Sequence, residues 1–312
     1  MQVFTVSNDN IEIFFELIPR GIYENVNLSG YFTIGVCSDD LEPLGLLQFI
    51  LDESEGGHFV SWITHIFIDI DEDGDKPTEL VRAYDVLYEM LDEYSNILYK
   101  SGVSVSRMCI PAVNPEYVEV RDYYPENEIY RQWPFYIKSA LANYGYQFNK
   151  GIELMYKMPI SAIYNLALEK KPKGVSDVKS IGKISKKEYR KLIQELCTKI
   201  QFDNLPVDIW LRQNVWDKDL SCCFYRSNNS MGILLVRLYS FDVYEAKLVL
   251  QGNNQDLYSM LYVFVDIADK LRHKGKYLLI YSCQKETEKM LLGLSNDIQQ
   301  IEVLHGGLEI EQ

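Results

Sequence analysis

Two hydrophobic periods alternate along this chain, and they predict the same order of elements twice. In the first half, residues 2–7 alternate weakly and predict a short strand. Residues 8–24 carry Ile11, Phe14, Phe15 and Ile18 at helical spacing, with Asn8 or Asp9 as the starting cap and Pro19 as a kink or end. Residues 31–37 and 44–51 form a hairpin candidate across Ser38-Asp39-Asp40, and 59–69 predict a third strand. Pro77 opens a helix reaching about residue 99, with Leu80, Ala83, Tyr84, Leu87 and Leu91 on one face. A strand (103–113), a Tyr-, Glu- and Pro-rich loop (114–127), a helix (133–144) and a strand (151–158) follow.

The second half repeats that order. Strand 178–184 and helix 186–200 precede a hairpin of 221–226 and 231–239, then strand 244–250. Helix 255–272, strand 277–283, helix 286–294 and strand 301–310 complete it. Two short strings support a repeat. Leu44-Gly45-Leu46-Leu47 resembles Met231-Gly232-Ile233-Leu234, and Lys100-Ser101-Gly102 resembles Lys274-Gly275-Lys276. An antiparallel meander followed by a helix and a parallel-looking strand predicts mixed α/β (α+β) domains, two in tandem. The expected division is 1–160, a Lys-rich linker 161–180, and 181–312.

Composition narrows the function. The 312 residues carry 31 Lys and Arg against 45 Asp and Glu, a net charge of −14. All of the excess belongs to one half: residues 1–160 carry −16 and the remainder +2. Such a balance argues against a nucleic-acid or anionic-membrane partner, since both need many basic groups. No apolar run reaches the roughly 18–20 residues that span a bilayer, and MQVFTVSNDN lacks the basic-then-apolar order of a signal peptide. The six Cys are scattered or adjacent, mostly within apolar runs, which predicts reduced thiols and a cytoplasmic protein. Four His at 65, 58, 273 and 305 give no metal-ligand spacing, and no metal site is expected from them.

The acidic stretch Asp69-x-Asp71-x-Asp73-Gly74 does match the first half of an EF-hand calcium loop. The match then fails, because position 12 is Leu80 and Glu79 stands one place early. Calcium binding there is a minor alternative.

The order of elements resembles that of the GNAT (GCN5-related) N-acetyltransferases, in two copies. The residues that carry the likeness are Trp62-Ile-Thr-His-Ile-Phe-Ile-Asp69, similar to the family's fourth strand; Val113-Asn114, similar to the strand end where the family often has Asn; and Asn143-Tyr-Gly145-Tyr146-Gln-Phe148, similar to its Gly-Phe step. The resemblance implies acetyl-CoA as cofactor, a small amine or amino-acid-like acceptor, and direct attack of the neutral amine on the thioester.

By the same resemblance, the cofactor-binding positions are Phe67, Ile68, Asp69, Gly74 and Asn114 in the first half and Gln251 and Gly252 in the second. His65 corresponds to a base in some members. The family's usual acid Tyr falls on Leu141, leaving Tyr144 or Tyr136 to substitute. Glu116, Glu119, Asp122, Glu126 and Glu128 are expected as a rim for a cationic amine.

The family's phosphate loop (Gln or Arg, two residues, Gly, one residue, Gly or Ala) is degenerate here. Between Asp69 and Asp75 there are five carboxylates and only Gly74 in place. One like-charge pair at ~4 Å costs about 4 kcal/mol at an effective dielectric near 20. The loop Gln251-Gly252-Asn253-Asn254-Gln255-Asp256 is less acidic but lacks the second Gly. A degenerate pair of domains kept as a binding or scaffold module is therefore the alternative to an enzyme.

Overall fold

The computed structural model describes residues 1–15, 17, 30–53, 59–69, 75–112, 128–163, 177–200, 213–226, 229–240, 243–250, 254–273, 275–282 and 285–310. The chain divides into two units, 1–151 with 302–312, and 152–301.

In the first unit, β1 (Gln2–Thr5), β2 (Tyr31–Cys37), β3 (Pro43–Glu53) and β4 (Phe59–Ile68) form an antiparallel meander. Helix α1 (Lys76–Lys100) returns the chain to β5 (Val103–Pro111), which runs parallel to β4. Helix α2 (Glu128–Asn143) follows and ends at Gly145, whose φ of +93° is a left-handed turn that a side chain would strain. The other edge of β5 pairs antiparallel with residues 303–309 of the last strand, β12 (Gln299–Glu309). The sheet order of this unit is β1-β2-β3-β4-β5-β12.

Its main core lies between the sheet and the apolar faces of α1 and α2. Leu47, Phe49 and Ile63 from the sheet meet Val86, Leu87, Met90 and Tyr94 of α1 and Ile137, Ala140 and Leu141 of α2. The opposite face carries a smaller cluster of Val6, Phe14, Cys37 and Leu46. The helix expected over 8–24 is, among the described residues, a single 3-10 turn at Ile11–Phe14. The residue at the start of this turn is Asn10. Its Oδ1 accepts from Ser7 N–H at 2.8 Å and its Nδ2 donates to Thr5 C=O at 3.1 Å, so the side chain ties the turn to β1.

The second unit is built alike. β6 (Gln147–Pro159) contributes residues 154–159, paired antiparallel with β11 (Tyr277–Ser282). β7 (Asp177–Ser180), α3 (Lys186–Ile200), β8 (Cys222–Arg226), β9 (Asn229–Ser240) and β10 (Val243–Leu250) form the meander with its helix. Helix α4 (Asn254–Leu271) connects β10 to the parallel strand β11, and α5 (Lys285–Leu292) follows. The order is β6-β11-β10-β9-β8-β7, with a core of Leu234, Val236, Ala246, Leu248, Phe264, Ile267, Leu278 and Ile280.

Each unit thus takes its closing strand from the other half of the sequence. Residues 302–309 lie beside β5, and residues 154–159 lie beside β11.

The two matched strings occupy matching places. Gly45 opposes Ile68, the last residue of β4, and Gly232 opposes Leu250, the last residue of β10. Neither has room for a Cβ: at Gly45 it would stand 2.5 Å from Val86 Cγ1, and at Gly232 2.6 Å from the carbonyl oxygen of Val249.

Candidate functional site

The parting of β4 from β5 defines the site. Their parallel pairing runs from Phe59/Val103 to Trp62/Arg107 and stops there. β4 continues for six residues, to Ile68, and β5 for four, to Pro111. The cause lies in β4. Gln48 opposes His65 and Phe49 opposes Ile63, so Thr64 is an extra residue, a bulge. A bulge bends its strand and increases its twist, and this one sits two residues beyond the last β4–β5 rung. Thr64 Oγ1 holds the bulge by donating to Gln48 C=O at 3.0 Å.

Below the parting, the strands are pinned. Ser61 and Ser106 face each other across the ladder. Tyr94 of α1 bridges them, at 2.8 Å to Ser61 Oγ and 2.5 Å to Ser106 Oγ, and Tyr146 OH lies 2.5 Å from Ser106 Oγ. Burial raises the pKa of both tyrosines, so these hydroxyls stay neutral donors and acceptors. The last rung carries Arg107 over the Trp62 ring, with Cζ 5.6 Å from the centroid.

Above the parting, the facing edges lose their strand partner, and such polar groups need another. Asp69 N–H is spent on Leu44 C=O at 2.9 Å. Backbone groups alternate sides along a strand, so Phe67 also turns its groups to β3, while Ile68 and Ile66 turn theirs toward β5. On the facing strand, Ala112 N–H donates to Glu302 C=O. By the same alternation the backbone of Cys109 faces β4. Of the three β4 positions implied by the resemblance, only Ile68 therefore offers its N–H to the gap. Ile66, on the same side, was not singled out in the sequence.

Two faces of the sheet separate the two catalytic candidates. His65 is buried opposite Gln48 and stacks on Phe67, with ring centroids 5.7 Å apart, on the face away from α1. Tyr144 packs on the α1 side. Its hydroxyl donates to Asp92, with Tyr88 C=O 3.3 Å away, and its ring stacks on Tyr88. Burial, then the Asp92 carboxylate, pushes its pKa up. The structure does not bring His65 and Tyr144 together. Leu141, at the family's usual Tyr position, is a core residue. Tyr136 makes a ring contact with Tyr84 of α1.

Helix α1 begins where a coenzyme diphosphate would need free N–H groups. Asp75 is its N-cap, accepting from Thr78 N–H at 3.3 Å and Thr78 Oγ1 at 2.8 Å. Pro77, in the first turn, has no N–H. A carboxylate of the chain already occupies the positive end of this helix. Arg82, ion-paired with Glu79 at 2.7 Å, donates to Asp69 C=O at 2.8 Å and ties the strand end to the helix. Gly74, Asn114, Gln251 and Gly252, the rim residues Glu116, Glu119, Asp122 and Glu126, and most of the calcium-like loop lie outside the described residues.

The corresponding strands of the second unit stay paired further. β10 and β11 are in register from Val243/Tyr277 to Lys247/Tyr281, five of the six residues of β11. The bulge of this unit lies at the other end, where β9 gains a residue opposite Val243/Tyr244. The last rung again joins a cation and an aromatic, with the strands exchanged: Lys247 Nζ lies 3.2 Å from the Tyr281 ring centroid. Beside it, Arg237 and Glu245 form a mostly buried ion pair, and Lys157 stands over Tyr277.

Sequence comparison with family models and with curated proteins finds no match. Comparison of structures does. The GCN5-related glucosamine N-acetyltransferase region of a fungal multi-domain β-N-acetylglucosaminidase superposes with a TM-score of 0.51 and 8% identity, over 98% of this chain and 38% of that one. A candidate acetyltransferase from Pyrococcus horikoshii gives a TM-score of 0.50 and 13% identity, over 99% of this chain and 89% of that one. A tandem GNAT protein from the clavulanic acid biosynthesis pathway gives 0.49 and 10%, over 98% and 89%. At such identities the likeness is one of fold. The order of strands and helices agrees with it: the chain has the GNAT acetyltransferase fold, with its order of elements repeated in tandem.

Proposed function

We propose that this protein is an acyl-CoA-dependent N-acyltransferase, acting in the cytoplasm on a small amine or amino-acid-like acceptor, with its chemistry in the first unit. The parting of β4 from β5 after Trp62/Arg107 carries this reading. An extended pantetheine arm has two amides, and it can bond to a strand edge as an added strand does. Ile66 and Ile68 supply that edge, and the N–H of Ile68 is placed to polarise a thioester carbonyl. An acceptor amine then attacks the carbonyl carbon and the coenzyme leaves as thiol. His65, on the face away from α1, is the candidate to take the amine proton.

The α1 terminus argues that the arm, rather than the diphosphate, supplies the affinity. Calorimetry with acetyl-CoA and with S-acetyl-pantetheine tests this. Both should bind with affinities within about threefold of each other, since a charged phosphate contact would be worth more than that. Failure of both to bind at millimolar concentration defeats the reading. It would leave the second one, a binding or scaffold module, which the Asp75 cap and the long β10–β11 pairing favour.

A further inference from the structure

We infer that Cys109, paired with His305, is a nucleophilic thiol that accepts acyl groups from thioesters. Cys109 Sγ lies 3.5 Å from Nδ1 of His305. The two residues are directly opposite in the β5–β12 ladder, 196 positions apart in the chain. Their side chains are on the sheet face away from α1 and α2, because Met108 and Ile110 between them fill the core. The backbone of Cys109 faces the gap between β4 and β5, so the thiol stands on its wall.

The thiolate is the reactive form, and a neighbouring imidazole or guanidinium stabilises it. Among the described residues, the charged and imidazole groups on this face of β4, β5 and β12 are His305 and Glu309 of β12, Arg107 of β5 and His65 of β4. Arg107 is two residues from Cys109, while Glu309 is exposed and opposes Val105, further along. The thiols of Cys37, Cys222 and Cys223 are buried, and burial pushes each of them up. Cys109 is half-exposed.

The step balances without a further reactant. His305 takes the Cys109 proton, and the sulfur attacks the thioester carbonyl. The new carbon–sulfur bond forms as the old one breaks, and the departing thiolate takes the proton from His305. An amine then attacks S-acyl-Cys109, and its proton goes to the released Cys109 sulfur.

The inference shares the thioester chemistry of the proposed function but needs no coenzyme, which separates the two in experiment. The full chain is incubated at pH 7 with S-phenyl thioacetate, and separately with acetyl-CoA, and acetylated cysteines are located by peptide mass spectrometry. Phenyl thioacetate should acetylate Cys109 ahead of Cys37, Cys222 and Cys223, and Cys109→Ser should abolish that adduct. His305→Asn should slow it by about 10-fold or more. Alkylation of Cys109 by iodoacetamide at pH 10 should be equal in wild type and His305→Asn, showing that the thiol remains in place. No acetyl group on Cys109, or the same rate in His305→Asn, overturns the inference. Acetylation by phenyl thioacetate but not by acetyl-CoA supports it and counts against the acyl-CoA reading.

Discussion

The two units share an order of elements but divide the features a GNAT site needs. The first opens its parallel strands after four rungs, yet its α1 terminus is capped by Asp75 and preceded by a run of carboxylates. The second has no carboxylate in the link before α4 (Gln251-Gly252-Asn253), yet its parallel strands remain paired for five of six β11 residues. The position of one extra residue accounts for the strand difference. Thr64 bulges β4 just past the last rung, while the β9 bulge lies at the closed end of β10. Fold alone therefore does not make a site; the placement of a bulge and a cap does.

The largest test of the comparison is on its shared part. Gly45→Ala and Gly232→Ala should each destabilise the chain by about 1–3 kcal/mol through overpacking. Gly232→Ala should cost more, because its Cβ meets a backbone carbonyl, whereas Gly45 meets a valine methyl that can shift. Urea unfolding with two probes measures both. Equal and negligible losses would mean the two strings do not hold equivalent close contacts.

A smaller effect tests the difference at α1. Asp75→Ser keeps a side-chain cap but removes the charge at the helix terminus. Acetyl-CoA should bind about 2- to 5-fold more tightly to this variant, the range of one charge at a helix end. S-acetyl-pantetheine should be unaffected. Equal changes for both ligands would show that the gain is not in the diphosphate.

A separate test concerns the second core. Burial pushes the Cys222 thiol up to about 12, from an ordinary value of 9.0. The folded form keeps this proton while the unfolded form loses it. Stability is therefore undisturbed below about pH 9 and falls as pH rises from 9 toward 12. Cys222→Ala should flatten that fall in urea midpoints measured between pH 8 and 11, and an unchanged slope would place the alkaline loss elsewhere.

Much of the fold was legible because it rests on local pattern. Apolar spacing located α1 and the strands of both meanders, and the helix predicted over 186–200 coincides with α3. The repeat showed in Gly45 and Gly232, where close approach forbids a side chain. Less of the site was legible. Asp75 was counted as one more acidic loop residue, but its capping role depends on where the helix starts. The region after Asn8 carried helical spacing, yet Asn10 bonds back to β1 and the described part is a 3-10 turn.

By itself, the sequence determined the class of architecture, the tandem order and the acidity of the first half, since periodicity, turn residues and charge are properties of neighbours along the chain. Only the tertiary structure decided that residues 302–309 complete the first unit and 154–159 the second. It also decided that Ile66 and Ile68 face the gap, that His65 and Tyr144 lie on opposite faces, and that Cys109 meets His305. A strand of alternating residues states which positions share a face. It does not state which distant strand will supply the hydrogen bonds along its edge, and that choice decided which of the candidate residues meet.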